Sequence, residues 1–159
     1  MRELCQDSLS ENIIPESRLI IYTDGSSHSN PGPAGAGIVI TDAEGKVIRE
    51  FSKYLGQMTN NGAEYSAFIL GLKEALKLRA RNIVIKVDSE LVAKQLCGEY
   101  KVREESLRPF YNEAKQLMRE FKEIEIAVVQ RDKNKQADRL ANKSINEAIK
   151  SRSDGYPPP

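Results

Sequence analysis

Residues 19–32 read LIIYTDGSSHSNPG: an apolar run, Leu19 to Tyr22, leads through Thr23 into Asp24 and then into glycine, serine, asparagine and proline. An unbroken apolar run of this kind predicts a central strand covered on both faces. A carboxylate closing such a strand sits beside the core, where it needs a partner or a task.

Gly35 to Thr41 and Lys46 to Lys53 read as two further strands around DAEGK, residues 42–46, whose Gly45 suits the left-handed position of a short hairpin loop. The period then changes. Asn61 to Leu78 sets Ala67, Phe68, Leu72, Ala75 and Leu76 at helical spacing, and Asn82 to Val87 returns to a strand. A shorter helix, Glu90 to Cys97, stops at Gly98. Arg103 to Phe121 reads as a helix with a boundary near Arg108, because Pro109 cannot sit in its interior. Glu123 to Val129 is the last strand and Lys135 to Ile149 the last helix. The order βββαβααβα predicts an α/β fold: a hairpin meander followed by crossovers, with parallel pairing and helices on both faces.

The chain has 159 residues, 40% of them hydrophobic, which suits one domain with its own core. Residues 1–17 read as a flexible leader and 151–159, SRSDGYPPP, as a flexible tail, leaving 18–150 as the domain. Lysine and arginine total 24 against 23 acids, so no global charge announces a partner. No apolar run is long enough for a transmembrane helix, and the first residues lack the apolar core of a signal peptide. The expectation is a cytoplasmic monomer without membrane contact. Cys5 and Cys97 have no metal-ligand spacing and read as a tail thiol and a packing thiol. His28 is the single histidine, which excludes a polyhistidine metal site and argues against a Ser-His-Asp triad.

Four carboxylates invite a joint reading: Asp24, Glu64, Asp88 and Asp138. Each has an ordinary explanation. Asp24 suits a turn, Glu64 suits a capping box with Asn61, Asp88 suits a helix cap beside Ser89, and Asp138 suits a solvated face. Together these are less convincing. Asp24 and Asp88 end strands expected to be parallel, at the edge where open α/β sheets place ligands. Glu64 shares a helical face with Ala67, Phe68 and Leu72, and Asp138 with Ala141 and Ile145, so both lean inward. Carboxylates gathered there repel one another and call for a cation. Hard oxygen ligands alone suit Mg²⁺ or Mn²⁺, and a pair of such ions suits a phosphodiester.

The motifs YTDGSSHSNPGPAGAG, TNNGAEYSAFILGL, VDSELV and NKQADRLAN, in that order, resemble those of type 1 ribonuclease H. The resemblance covers about residues 18–148. QLCGEYKVR is similar to the small bacterial and archaeal branch, which lacks a long basic protrusion. It implies a ribonuclease H-like fold, a five-stranded mixed sheet of order 3-2-1-4-5 counted along the chain. It also implies cleavage of the RNA strand of RNA/DNA hybrids with two Mg²⁺ ions, Mn²⁺ substituting, to leave 3′-hydroxyl and 5′-phosphate ends. Asp24, Glu64, Asp88 and Asp138 would be the metal ligands, Asp24 bridging. Gly25, Ser26, Asn30, Asn60 and Asn61 would contact the hybrid, and Thr59 a phosphate of its DNA strand.

Two departures accompany the resemblance. Many members carry a histidine on the loop before the last aspartate, where this chain has VVQRDKNKQAD; Arg131 or Lys133 stands there instead. Tyr100 and Lys101 are the residues expected to compensate for the missing protrusion, with Arg131, Lys133, Lys135, Arg139 and Lys143 adding positive charge. The glycines of NPGPAGAGIVI do not complete a dinucleotide or P-loop fingerprint. The alternatives are a catalytically silent hybrid-binding module of the same fold and cleavage of double-stranded RNA.

Overall fold

The run that opens the domain grows into β2 (Arg18–Ser27), a strand of ten residues that lies in the middle of a six-stranded sheet. The computed structural model describes residues 2–4 and 18–153. The remaining strands are β1 (Arg2–Leu4), β3 (Gly32–Thr41), β4 (Val47–Met58), β5 (Asn82–Val87) and β6 (Glu123–Val128). Their order is β1-β6-β5-β2-β3-β4. Pairing is antiparallel from β2 to β3 to β4, and parallel from β2 to β5 to β6 and from β6 to β1. Leaving out β1, this is the expected five-stranded order.

β1 is a correction to the expected leader. Arg2, Glu3 and Leu4 pair with Glu123, Ile124 and Glu125, covering the β6 edge with main-chain partners. Three residues of mixed character give no periodic signal, so this pairing had no signature in the sequence. The rest of the leader, 5–17, and the tail beyond Ser153 lie outside the described residues.

Period-2 alternation assigns the two faces of the sheet. Ile21, Ile38, Ile40, Ile83, Ile85, Ile124 and Ile126 are all buried on the face covered by α1 (Asn60–Lys77), α2 (Glu90–Leu96) and α3 (Arg108–Met118), against Phe68, Leu72, Leu96 and Met118. A 3₁₀ turn, Glu105–Leu107, precedes α3, whose Pro109 falls in its first turn as the boundary near Arg108 required. Tyr65 Oη donates to Gln95 Oε1 at 2.7 Å and so ties α1 to α2 within the core.

The opposite face receives α4 (Lys135–Ser153), which continues four residues past the expected end because nothing in Lys150 to Ser153 breaks a helix. Its seat is the main chain of β3. A Cβ on Gly37 would stand 2.0 Å from Ala137 O, and one on Gly35 2.4 Å from Ala141 O. Those glycines therefore serve close approach of a helix rather than a phosphate. Gly45, at φ +91°, turns the β3–β4 hairpin as expected. Cys97, expected as a packing thiol, is instead disulfide-bonded. It is the only cysteine among the described residues, and lone cysteines carry no spacing signature of a disulfide.

A candidate metal centre beside a nucleic-acid groove

β2 departs from β5 after the Tyr22–Lys86 pair but continues antiparallel to β3 as far as Ser27. Asp24 thus lies inside the strand, just past the point where the parallel strands separate. Its Cα partner is Gly37, so its side chain shares the face on which α4 rests. The carboxyl edge expected for ligands is formed by this divergence.

Glu64 approaches from α1. The capping-box reading fails, because Thr59 caps this helix by accepting from Gly62 N at 3.1 Å. Glu64 Oε1 instead accepts from Gly25 N at 2.9 Å. Asp88 follows β5, and the cap of α2 is Ser89, which accepts from Val92 N at 3.3 Å. Asp88 is left to accept from Asn134 Nδ2 at 3.0 Å.

Asp24, Glu64 and Asp88 each present one oxygen, all within 4.8 Å of one another. Asp138, half-buried in the first turn of α4, is not one of that trio but lies beside Asp24 and interacts with its carboxyl. Asn142 Nδ2 donates to Asp138 Oδ1 at 3.3 Å, and Asn142 Oδ1 meets His28 Nε2 at 3.3 Å. The single histidine is thus an exposed loop residue, two contacts removed from the acids.

The electrostatics follow from the geometry. Burial first, then the charges of Glu64 and Asp88 and the proximity of Asp138, push Asp24 up to about 10. Burial also pushes Glu64 up, to about 8, although the Gly25 N–H and the charge of Arg131 oppose the rise. Asp24 Oδ2 is buried without a hydrogen-bond partner. Hard oxygen donors, mutual repulsion and an orphaned carboxylate oxygen fit a divalent cation held by Asp24, Glu64 and Asp88, with Asp138 adjoining.

The other expected contacts flank this cluster. Asn30 Oδ1 accepts from Asn60 N at 3.0 Å, joining the β2–β3 loop to the start of α1. Ser26 is half-buried near the end of β2, whereas Gly25 is buried, so its role here is to hold Glu64. Asn61 faces Tyr100 and Lys101 across a groove of about 540 Å³. Tyr100 is 47% exposed, and Lys94 Nζ stands 5.1 Å above its ring. Arg131, Lys133, Lys135, Arg139 and Lys143 are all exposed on or before α4, with Lys143 paired to Glu147 at 3.9 Å. The sequence gives Asn134 no task of its own: a lone asparagine before a helix reads as a cap, and only the fold brings it to Asp88.

A mixed sheet of this order, with acids gathered where the parallel strands diverge, defines the ribonuclease H-like class. A family model described as reverse transcriptase-like matches residues 22–144. Ribonuclease HI of Halobacterium salinarum is 37% identical over 131 residues, 82% of this chain and 66% of that protein. The solved RNase H1 structure from that organism superposes with a TM-score of 0.80, covering 82% of this chain and 98% of that one. LC11-RNase H1, solved in complex with an RNA/DNA hybrid, is 38% identical with a TM-score of 0.78, covering 82% of this chain and 99% of that one. A bifunctional protein of Mycobacterium tuberculosis is 40% identical over 135 residues, 84% of this chain. The chain spans only 37% of the length of that mycobacterial relative. On the family match and these identities, the chain belongs to the type 1 ribonuclease H family.

Proposed function

We propose that this chain is a metal-dependent endonuclease that hydrolyses the RNA strand of RNA/DNA hybrids. The observation that carries the reading is the trio Asp24, Glu64 and Asp88, whose oxygens lie within 4.8 Å of one another, with burial disfavouring the ionisation of Asp24 and Glu64 without a cation. The hybrid in the LC11-RNase H1 structure supports the choice of substrate. When bound, two Mg²⁺ or Mn²⁺ ions supply the positive charge that activates a water and neutralises the leaving oxygen. Asp24, Glu64, Asp88 and Asp138 would hold them, and the products would be 3′-hydroxyl and 5′-phosphate ends.

The chain's own groups do the positioning. Gly25 N–H fixes Glu64, and Thr59 orders the first turn of α1, where Asn60 and Asn61 stand. Asn30, held against Asn60 N–H, and Ser26 present short polar groups to a shallow A-form groove, where 2′-hydroxyls distinguish RNA from DNA. Tyr100 and Lys101 offer a stacking surface and a phosphate contact along the groove beside Asn61.

The test is cleavage of end-labelled RNA/DNA hybrid, double-stranded RNA and duplex DNA in Mg²⁺ and in Mn²⁺, with Asp24→Asn as control. Hybrid cutting that disappears in the control supports the reading. Hybrid binding without cutting under either metal would overturn it in favour of a silent binding module.

A further inference from the structure

Asn134 is 1% exposed at the entrance to α4. Its side-chain Nδ2 donates to Thr23 O at 2.9 Å and to Asp88 Oδ2 at 3.0 Å. Its main-chain carbonyl accepts the N–H of Asp138 at 3.1 Å. A carboxamide nitrogen has two hydrogens, and both are committed here. The orientation is therefore fixed, because the flipped amide would aim an oxygen at a carbonyl and a carboxylate. The remaining atom, Oδ1, is buried with no hydrogen-bond partner.

That combination is costly as packing. An apolar side chain of similar volume would fill the space without an orphaned acceptor. What the amide provides instead is a link among three of the four places that carry the acids: β2 at the residue before Asp24, the turn after β5 at Asp88, and the first turn of α4 at Asp138.

We propose that Asn134 is a positioning residue for Asp88: its Nδ2 holds one carboxylate oxygen and so sets the rotation that keeps Asp88 beside Asp24 and Glu64, ready for a divalent cation. The inference rests on reading the cluster as a metal centre. Groups that hold a ligand from behind typically contribute 10- to 100-fold to metal affinity.

The experiment measures Mn²⁺ affinity of the full chain by calorimetry for wild type, Asn134→Leu, Asp88→Asn and the double variant. Leucine keeps the branched skeleton of asparagine and removes the orphaned oxygen, but its methyl groups are bulkier; the same cycle with Asn134→Ala covers a failure of leucine to pack. The expected result is about tenfold weaker binding for Asn134→Leu, with no further loss when it is added to Asp88→Asn. Affinity within twofold of wild type, or a loss that adds in full to that of Asp88→Asn, would overturn the proposal. A wild-type chain that binds Mn²⁺ but cuts no hybrid would overturn the hydrolase reading alone.

Discussion

The Gly25 amide donates to Glu64 Oε1 at 2.9 Å, so the residue that follows one acid of the cluster holds the next, 39 positions away. The contact requires α1 to lie directly on β2. A Cβ on Gly25 would stand 2.0 Å from Ala63 O.

Gly25→Ala must therefore push the helix away and move Glu64. Stability should fall by about 1–3 kcal/mol, and hybrid cleavage by at least about tenfold, the factor that follows from a comparable loss in the transition state. Urea melts and single-turnover rates check the two effects separately.

Metal-free stability should depend on pH with a definite sign. Asp24 and Glu64 are raised to about 10 and about 8 when folded, from ordinary values of 3.8 and 4.5. Their contribution is present in full below the ordinary values and is lost as pH rises through the folded ones. Asp24→Asn removes one of these penalties. In chelator, its melting temperature should match wild type near pH 4 and exceed it by a margin that widens toward pH 9; a constant margin would refute the assignment.

Cation binding should reverse that loss. At a Mn²⁺ concentration 100 times the dissociation constant, the stabilisation is about 2.7 kcal/mol for one site. At one fixed Mn²⁺ concentration the increment should be larger at pH 8 than at pH 6, because protons compete for the same oxygens. Thermal melts of the Asp24→Asn, Glu64→Gln double variant should show no increment.

Glu74 behaves in the opposite sense. Burial raises its carboxyl, but hydrogen bonds from Lys77 and Arg49 outweigh burial and leave it below its ordinary value. Its contribution is present above that ordinary value and is lost as pH falls through the lowered one. Arg49→Ala should cost about 1 kcal/mol at neutral pH, part of the bond being screened by solvent. In denaturant titrations the difference should shrink below pH 4.

Tyr100 tests the groove. If a base stacks on its ring, Tyr100→Ala should weaken hybrid binding by about 1–3 kcal/mol and leave the single-turnover rate at saturation unchanged. Fluorescence anisotropy in Ca²⁺ and saturating kinetics separate affinity from chemistry.

The elements with strong periodicity were legible in the sequence, and so was the sheet order they build. β2, β5 and β6 announced themselves by apolar runs, α1 and α4 by their stripes. Boundaries were harder where glycine and proline intervene: β3 begins at Gly32 rather than Gly35, and β4 runs on to Met58 past Gly56, whose φ of +79° bends the strand without ending it. The four acids were legible because each ordinary explanation strained beside its neighbours. The structure removes the capping explanations by giving those roles to Thr59 and Ser89. Asn134 was not legible, since its meaning lies in Thr23 and Asp88, 111 and 46 positions away. β1 was hidden for the same reason: its partner among the described residues is far along the chain.

The seating of α4 on Gly35 and Gly37 has a consequence for the order in which a newly made chain becomes competent. Asp24, Glu64 and Asp88 emerge during synthesis well before Asn134 and Asp138, which depend on the last helix of the domain. Until that helix has left the ribosome and docked on the bare main chain of β3, the acids lack both their amide tie and their fourth member. On the proposed function, a half-synthesised domain should therefore cut no hybrid, and the docking of the last helix would complete the site.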